Sequence, residues 1–126
     1  MTPAAEAPSV PGMSDPIFDE AWALALVEGD HDFLRELLSM FVSAAPQLVV
    51  DARAACGRAD ATAAARAAHR LRGNATQIGG RQVGERALVV EDHARAGELA
   101  AAAAALDPLA AAVDVLCARV RSTLAR

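Results

Sequence analysis

The chain has 126 residues, 54% of them apolar, and 33 alanines supply nearly half of that apolar share. Its four aromatic residues (Phe18, Trp22, Phe33, Phe41) and the lack of any β-branched run longer than Val49-Val50 or Val89-Val90 argue against a β-sandwich, a barrel or an aromatic-lined nucleic-acid platform. Sixteen acids against twelve arginines give a net charge of −4, a poor balance for a general nucleic-acid binder. The length fits one domain, and alanine's high helix propensity points to an all-α class with closely packed helices.

Charge is unevenly spread. Residues 1–51 hold nine acids and a single base, Arg35, whereas residues 52–86 hold seven arginines against only Asp60 and Glu85. A confined basic zone suits a phosphate group or an acidic pocket on a partner, although a solvated helix face produces the same composition.

In chain order, residues 1–14 mix Pro, Ala, Ser and Gly without periodicity and read as a disordered tail. A short first helix is expected to start at Pro16, capped by Ser14 or Asp15, and to stop at Gly29. Asp30 then caps a second helix with one apolar stripe, Phe33, Leu34, Leu37, Leu38, Phe41, Val42 and Ala45. The stripe resumes in phase after Pro46 at Leu48, Val49, Ala52 and Ala55, which predicts a kinked helix continuing to about Cys56. A third helix runs from Ala61, capped by Asp60, to about Ile78 and closes on Gly79-Gly80. A fourth spans Arg81 to Ala96 and stops at Gly97. The last spans Glu98 to about Leu124, with Asp107-Pro108 either kinking or restarting it. Four long amphipathic helices on short connections predict an antiparallel up-down four-helix bundle over residues 15–126, with the short N-terminal helix covering one end.

The longest uninterrupted apolar stretch, Leu99 to Leu106, is too short to span a bilayer, and the N-terminus lacks the pattern of a signal peptide. A cytoplasmic protein is expected. Cys56 and Cys117 are far apart and have no CxxC or Cys/His pairing, so they read as small core residues in a reducing compartment.

Of the three histidines, His31 and His93 have no partner at ligand spacing and read as ordinary surface residues. Glu28-x-x-His31 is half of a di-iron motif, but Gly29-Asp30 breaks the helix there and no second copy occurs, so no metal site is expected. His69 differs. At about 100° per residue, Arg66, Arg72, Gly73 and Thr76 share its helix face, while Ala64, Ala67, Ala68, Leu71, Ala75 and Ile78 form the apolar side. The imidazole should point outward. Gly73 is the odd residue, because glycine inside a helix costs about 1 kcal/mol relative to alanine. It signals close approach, either by a neighbouring helix or by an incoming group.

The segment Ala68-His69-Arg70-Leu71-Arg72-Gly73-Asn74-Ala75-Thr76-Gln77-Ile78-Gly79-Gly80 resembles the A-H-x-L-K-G-x-x-x-x-L-G-A box of histidine-containing phosphotransfer (HPt) domains. It carries the histidine, the leucine two residues on, a base at +3, glycine at +4, an aliphatic residue at +9 and glycine at +10. Arg72 replaces the commoner lysine and Gly80 the commoner alanine. The likeness extends from about Phe18 to Leu124, through the Phe33-Leu34 to Phe41 stretch, Pro46, the Gly57-Arg58-Ala59-Asp60 turn and the Val90-Glu91 to Gly97 segment.

The resemblance implies a phosphocarrier without ATP-dependent kinase activity, in which His69 takes a phosphoryl group from an aspartate of one receiver domain and passes it to another. The partners implied are receiver domains of a hybrid histidine kinase or of response regulators. It also implies attack through Nε2. Arg72 would neutralise phosphate charge, Gly73 would admit the receiver loop, Asn74 or Thr76 would hydrogen-bond phosphate oxygens, and Arg66 and Arg70 would add positive field. No cofactor is expected on this chain; Mg2+ would come with the receiver's acidic pocket. A sensor-kinase hairpin is the nearest rival, but Arg70 stands where an acid usually follows the histidine, and no GxxxxGK[ST] loop occurs. The rival from another class is a non-catalytic adaptor bundle. A hydrolase is disfavoured because no acid/base partner lies near His69 on its own helix. Met1 and the irregular start favour a separate small protein, a monomer is the default, and the alanine bias without lysine suggests a GC-rich bacterial genome.

Overall fold

Aspartate side chains start the first three helices, because the first amide hydrogens of a helix lack internal partners. The computed structural model describes residues 15–126, and the tail expected over residues 1–14 lies outside them. Asp19 Oδ1 accepts from the Trp22 amide and opens α1, Glu20–Leu26. Asp30 accepts from Phe33 to open α2, His31–Gly57, and Asp60 accepts from Ala63 to open α3, Ala61–Gln77. Two further helices follow, α4 at Arg81–Arg95 and α5 at Leu99–Leu124. The described residues are entirely helical and irregular, with no strand.

The α3 and α4 helices end as expected, on glycines with positive φ, Gly79 and Gly97, and the next amide reaches back to Ala75 and His93 carbonyls respectively. The α2 end differs. Its left-handed residue is Ala59, two positions beyond Gly57, and the Asp60 amide closes the turn on the Ala55 carbonyl. Pro46 and Pro108 both sit inside continuous helices, so Asp107-Pro108 does not restart α5.

The first helix requires a larger correction. It starts at Glu20, not Pro16, and its cap is Asp19 rather than Ser14 or Asp15. Asp15 instead accepts from the Ile17 amide in a local turn. The Pro16 carbonyl accepts from Gln82, and the Asp19 amide donates to the Gly79 carbonyl, so residues 16–19 strap the connection between α3 and α4. Phe18 is buried in the core beneath that strap.

The core is a column of Leu, Val, Phe and Ala from all four long helices, including Leu38, Phe41, Leu71, Ile78, Val90, Leu106 and Leu116. α2 packs against α3 and α5, and α4 packs against the same two helices. The many alanines on the inner face of α3 let α3 sit close to its neighbours, and they leave its outer face to charged groups. α2 and α5 are each long and apolar enough, by length and composition, to cross a membrane, a property the uninterrupted apolar stretch did not reveal. Each also places an apolar stripe in this core. Cys117 is buried as expected, whereas Cys56 is only half-buried, and both are free thiols.

Candidate functional site

On α3 the predicted division of faces holds: Ala64, Ala67, Ala68, Leu71, Ala75 and the capping Ile78 are buried, and Arg66, His69, Arg70, Gly73 and Thr76 are exposed. The His69 side chain keeps 57% of its surface open to solvent. Its ring is nevertheless fixed along one edge. Nδ1 lies 3.0 Å from Glu91 Oε2, a carboxylate on α4 that is only 5% exposed. The carboxylate can only accept, so this contact is a hydrogen bond when the proton sits on Nδ1, and Nε2 then keeps its lone pair on the side away from Glu91.

Glu91 is the residue that sequence reasoning missed. Besides His69, it accepts from Arg72 Nε at 3.1 Å and from Arg95 Nε and Nη2 at 3.0 and 2.6 Å. Burial pushes its carboxyl up, but the hydrogen bonds from Arg95, Arg72 and His69, together with the Arg72 charge, outweigh that and hold it below its ordinary 4.5. A buried carboxylate needs such pairing, and its three basic neighbours supply it. Two signals for this partner were present in the sequence. Glu91 and Arg95 stand at i, i+4 spacing, and Glu91 lies about as far after Gly79-Gly80 as His69 lies before it, so a helical hairpin brings them level. Periodicity along α3 does not show this partner, because it stands on α4.

The remaining predicted residues divide between two sides of His69. Arg72 Nη2 lies 3.1 Å from Nδ1; both are donors when Nδ1 is bonded to Glu91, so Arg72 stands beside the imidazole without a hydrogen bond to it and is held by its Nε on the carboxylate. The Thr76 hydroxyl donates to the Arg72 carbonyl at 2.8 Å, which commits its proton to the helix backbone. Arg66 and Arg70 turn toward α2, where they line a groove with Asp51 and Arg58. Asn74 is half-buried. His93 lies outside the site and pairs with Glu98 at 2.8 Å, across the connection from α4 to α5.

The Hpt domain family model matches residues 36–123, most of the chain and all of the residues just described. The chain belongs to the Hpt domain family. Its fold is similar to the crystal structure of histidine-containing phosphotransfer protein B (HptB) from Pseudomonas aeruginosa PAO1, with a TM-score of 0.82 and 25% identity over 90% of this chain and 98% of that one. No curated protein sequence matches it. Its role is histidine phosphotransfer in a phosphorelay, where Hpt domains meet receiver domains as carriers, not kinases.

Within this Hpt domain, Gly73 separates the two explanations for a mid-helix glycine. A Cβ built there would meet nothing within 4 Å, so no neighbouring helix needs the space. The opening faces outward, one turn from the imidazole.

Proposed function

We propose that His69 is the phosphoacceptor and that Glu91 holds its ring so that Nε2 does the chemistry. The observation that carries this reading is the Nδ1–Glu91 hydrogen bond on an imidazole that is otherwise open to solvent. The Nε2 lone pair attacks the phosphorus of an aspartyl phosphate in line; the N–P bond forms as the P–O bond breaks, and that electron pair leaves with the aspartate carboxylate. The ring then carries positive charge with its proton still on Nδ1, and Glu91 offsets that charge without a change of position. Delivery to a second aspartate runs the same steps backward, and no step consumes ATP.

Arg72 reaches the phosphoryl oxygens from one side while its Nε stays on Glu91, and Gly73 leaves room for the receiver loop that carries the aspartate. Arg66 and Arg70 contribute positive potential from the α2 side. Asn74 and Thr76 serve as oxygen contacts, with Thr76 first turning away from the Arg72 carbonyl. The four long helices form an antiparallel up-down bundle, supported by the ring of contacts α2–α3–α4–α5–α2 and by the short connections. The carrier domain spans residues 15–126 and works as a cytoplasmic monomer, in a bacterium, between receiver domains of a hybrid kinase or response regulators; those receivers bring the Mg2+.

The test is incubation with a phosphorylated receiver, followed by assay for acid-labile, base-stable label. Wild type takes up label and His69→Gln takes up none. Label that survives His69→Gln overturns the assignment.

A further inference from the structure

The two oxygens of the buried Glu91 carboxylate are held unequally. Oε1 accepts one bond, from Arg72 Nε at 3.1 Å, whereas Oε2, the oxygen that faces His69 Nδ1, accepts two from Arg95, at 3.0 and 2.6 Å. His69 and Arg72 reach Glu91 from α3. Arg95 stands on Glu91's own helix, one turn on, so the two side chains form a chelate within α4. Burial raises the Glu91 carboxyl, and the hydrogen bonds from Arg95 come first among those that outweigh it. The turn that carries Arg95 is closed: the Ala96 amide donates to the Asp92 carbonyl, the Glu98 amide donates to the His93 carbonyl, and His93 Nδ1 lies 2.8 Å from Glu98 Oε1. Arg95 is therefore rooted in an ordered helix end, and among the described residues its side chain bonds to Glu91 and to nothing else.

We propose that Arg95 is a positioning residue for phosphoryl transfer: its chelate fixes Glu91 Oε2 against Nδ1 and so keeps Nε2 free as the nucleophile. This rests on the phosphocarrier reading and gives a role to a residue that meets neither phosphorus nor the imidazole. The reason lies in what the other partners of Glu91 do during the reaction. As the N–P bond forms, the ring becomes cationic and Arg72 is drawn toward the phosphoryl oxygens, so both partners from α3 change their demand on the carboxylate. Arg95 does not. Without it, an ionised carboxylate that is only 5% exposed keeps one guanidinium bond and a neutral imidazole, too little to offset its desolvation, and it turns to water. His69 then loses the acceptor that selects the Nδ1–H tautomer. The two tautomers mix, and part of the population carries its proton on Nε2, where the attack must occur.

Two variants test this. Arg95→Gln removes the charge and the fork, and Arg95→Lys keeps the charge on a single donor group. The first readout is a long-range 1H–15N spectrum of the unphosphorylated protein with labelled histidine, at about pH 8, where an ordinary imidazole is neutral. In the wild type the two ring nitrogens of His69 should resonate far apart, with the proton on Nδ1. In Arg95→Gln they should draw together, and in Arg95→Lys they should stay near the wild-type positions. The second readout is label uptake from a phosphorylated receiver that labels the wild-type chain. Arg95→Gln should lower kcat about 10-fold through the misplaced nucleophile, with KM little changed, and Arg95→Lys should recover most of it. Ring resonances that stay apart in Arg95→Gln, or a kcat that stays at the wild-type value, would overturn the proposal. A rise in KM alone would overturn it too, by making Arg95 a docking contact. The spectrum needs no phosphorus, so a failure of the proposal shows there, whereas a failure of the phosphoacceptor reading shows as label that survives His69→Gln.

Discussion

Two glycines on the same hairpin, one in the middle of α3 and one at its end, serve opposite needs. At Gly79 the backbone has a φ of 78°, and a Cβ would overlap the carbonyl oxygen of Asp19, whose amide donates to Gly79 in return. That glycine is required by the molecule's own packing. At Gly73 the backbone is helical and the space beyond it is empty, so the protein gains nothing internal from the missing side chain. Helix propensity alone makes Gly73 a cost of about 1 kcal/mol. A cost with no internal return points outward, to a partner, and here it lies one turn from the exposed imidazole.

The comparison can be broken at either end. The largest expected effect is on Gly79→Ala, which combines a left-handed alanine with a backbone overlap; it should lower unfolding free energy by about 3 kcal/mol and loosen the strap. Chemical denaturation measures the loss, and hydrogen exchange at Asp19 and Gln82 locates it. Label uptake below the melting temperature should persist, because His69 and Glu91 lie away from that turn.

Glu91→Gln should cost about 1–3 kcal/mol at neutral pH and slow label uptake by roughly 10-fold, since the basic cluster loses its counter-charge. The sign of the pH dependence follows from the lowered carboxyl. A folded value below 4.5 means that the Glu91 contribution is complete above about pH 4.5 and fades as the pH falls through the folded value. Urea melts of the two proteins should therefore differ most near neutrality and converge in acid. A gap that widens in acid would contradict the pairing.

The smallest effect sharpens the comparison most. Gly73→Ala should stabilise the protein by about 0.5–1 kcal/mol, because the site is open and helical. It should also slow transfer from a receiver by about 10-fold, the scale of an added methyl group in a tight contact. A protein that becomes more stable and less active identifies space reserved for a partner. A loss of stability would show that the glycine serves the fold after all.

How much was legible in the sequence depends on the range of the interaction. The stripes on α2 and α3, the Asp30 and Asp60 caps and the glycine stops at Gly79 and Gly97 are local patterns, and all were readable. The start of α1 was not, because Asp15 and Asp19 are both competent caps four residues apart. Tertiary contacts decided between them: Phe18 enters the core, and the strap bonds to Gly79 and Gln82. At the site, the exposed histidine with Arg72 and Gly73 on its face followed from helical periodicity on α3, whereas the open space at Gly73 did not, because a closely packed neighbouring helix accounts for a mid-helix glycine equally well until the packing is known. Glu91 and Arg95 did not, because they come from another helix 22 and 26 positions along the chain from His69, and only the hairpin brings them level.

The most direct measurement is a long-range 1H–15N correlation spectrum of the phosphorylated protein with labelled histidine, read together with 31P. Phosphorus should couple to Nε2 of His69, with the proton retained on Nδ1 where Glu91 accepts it. Phosphorus on Nδ1, or on any side chain other than His69, would contradict the account.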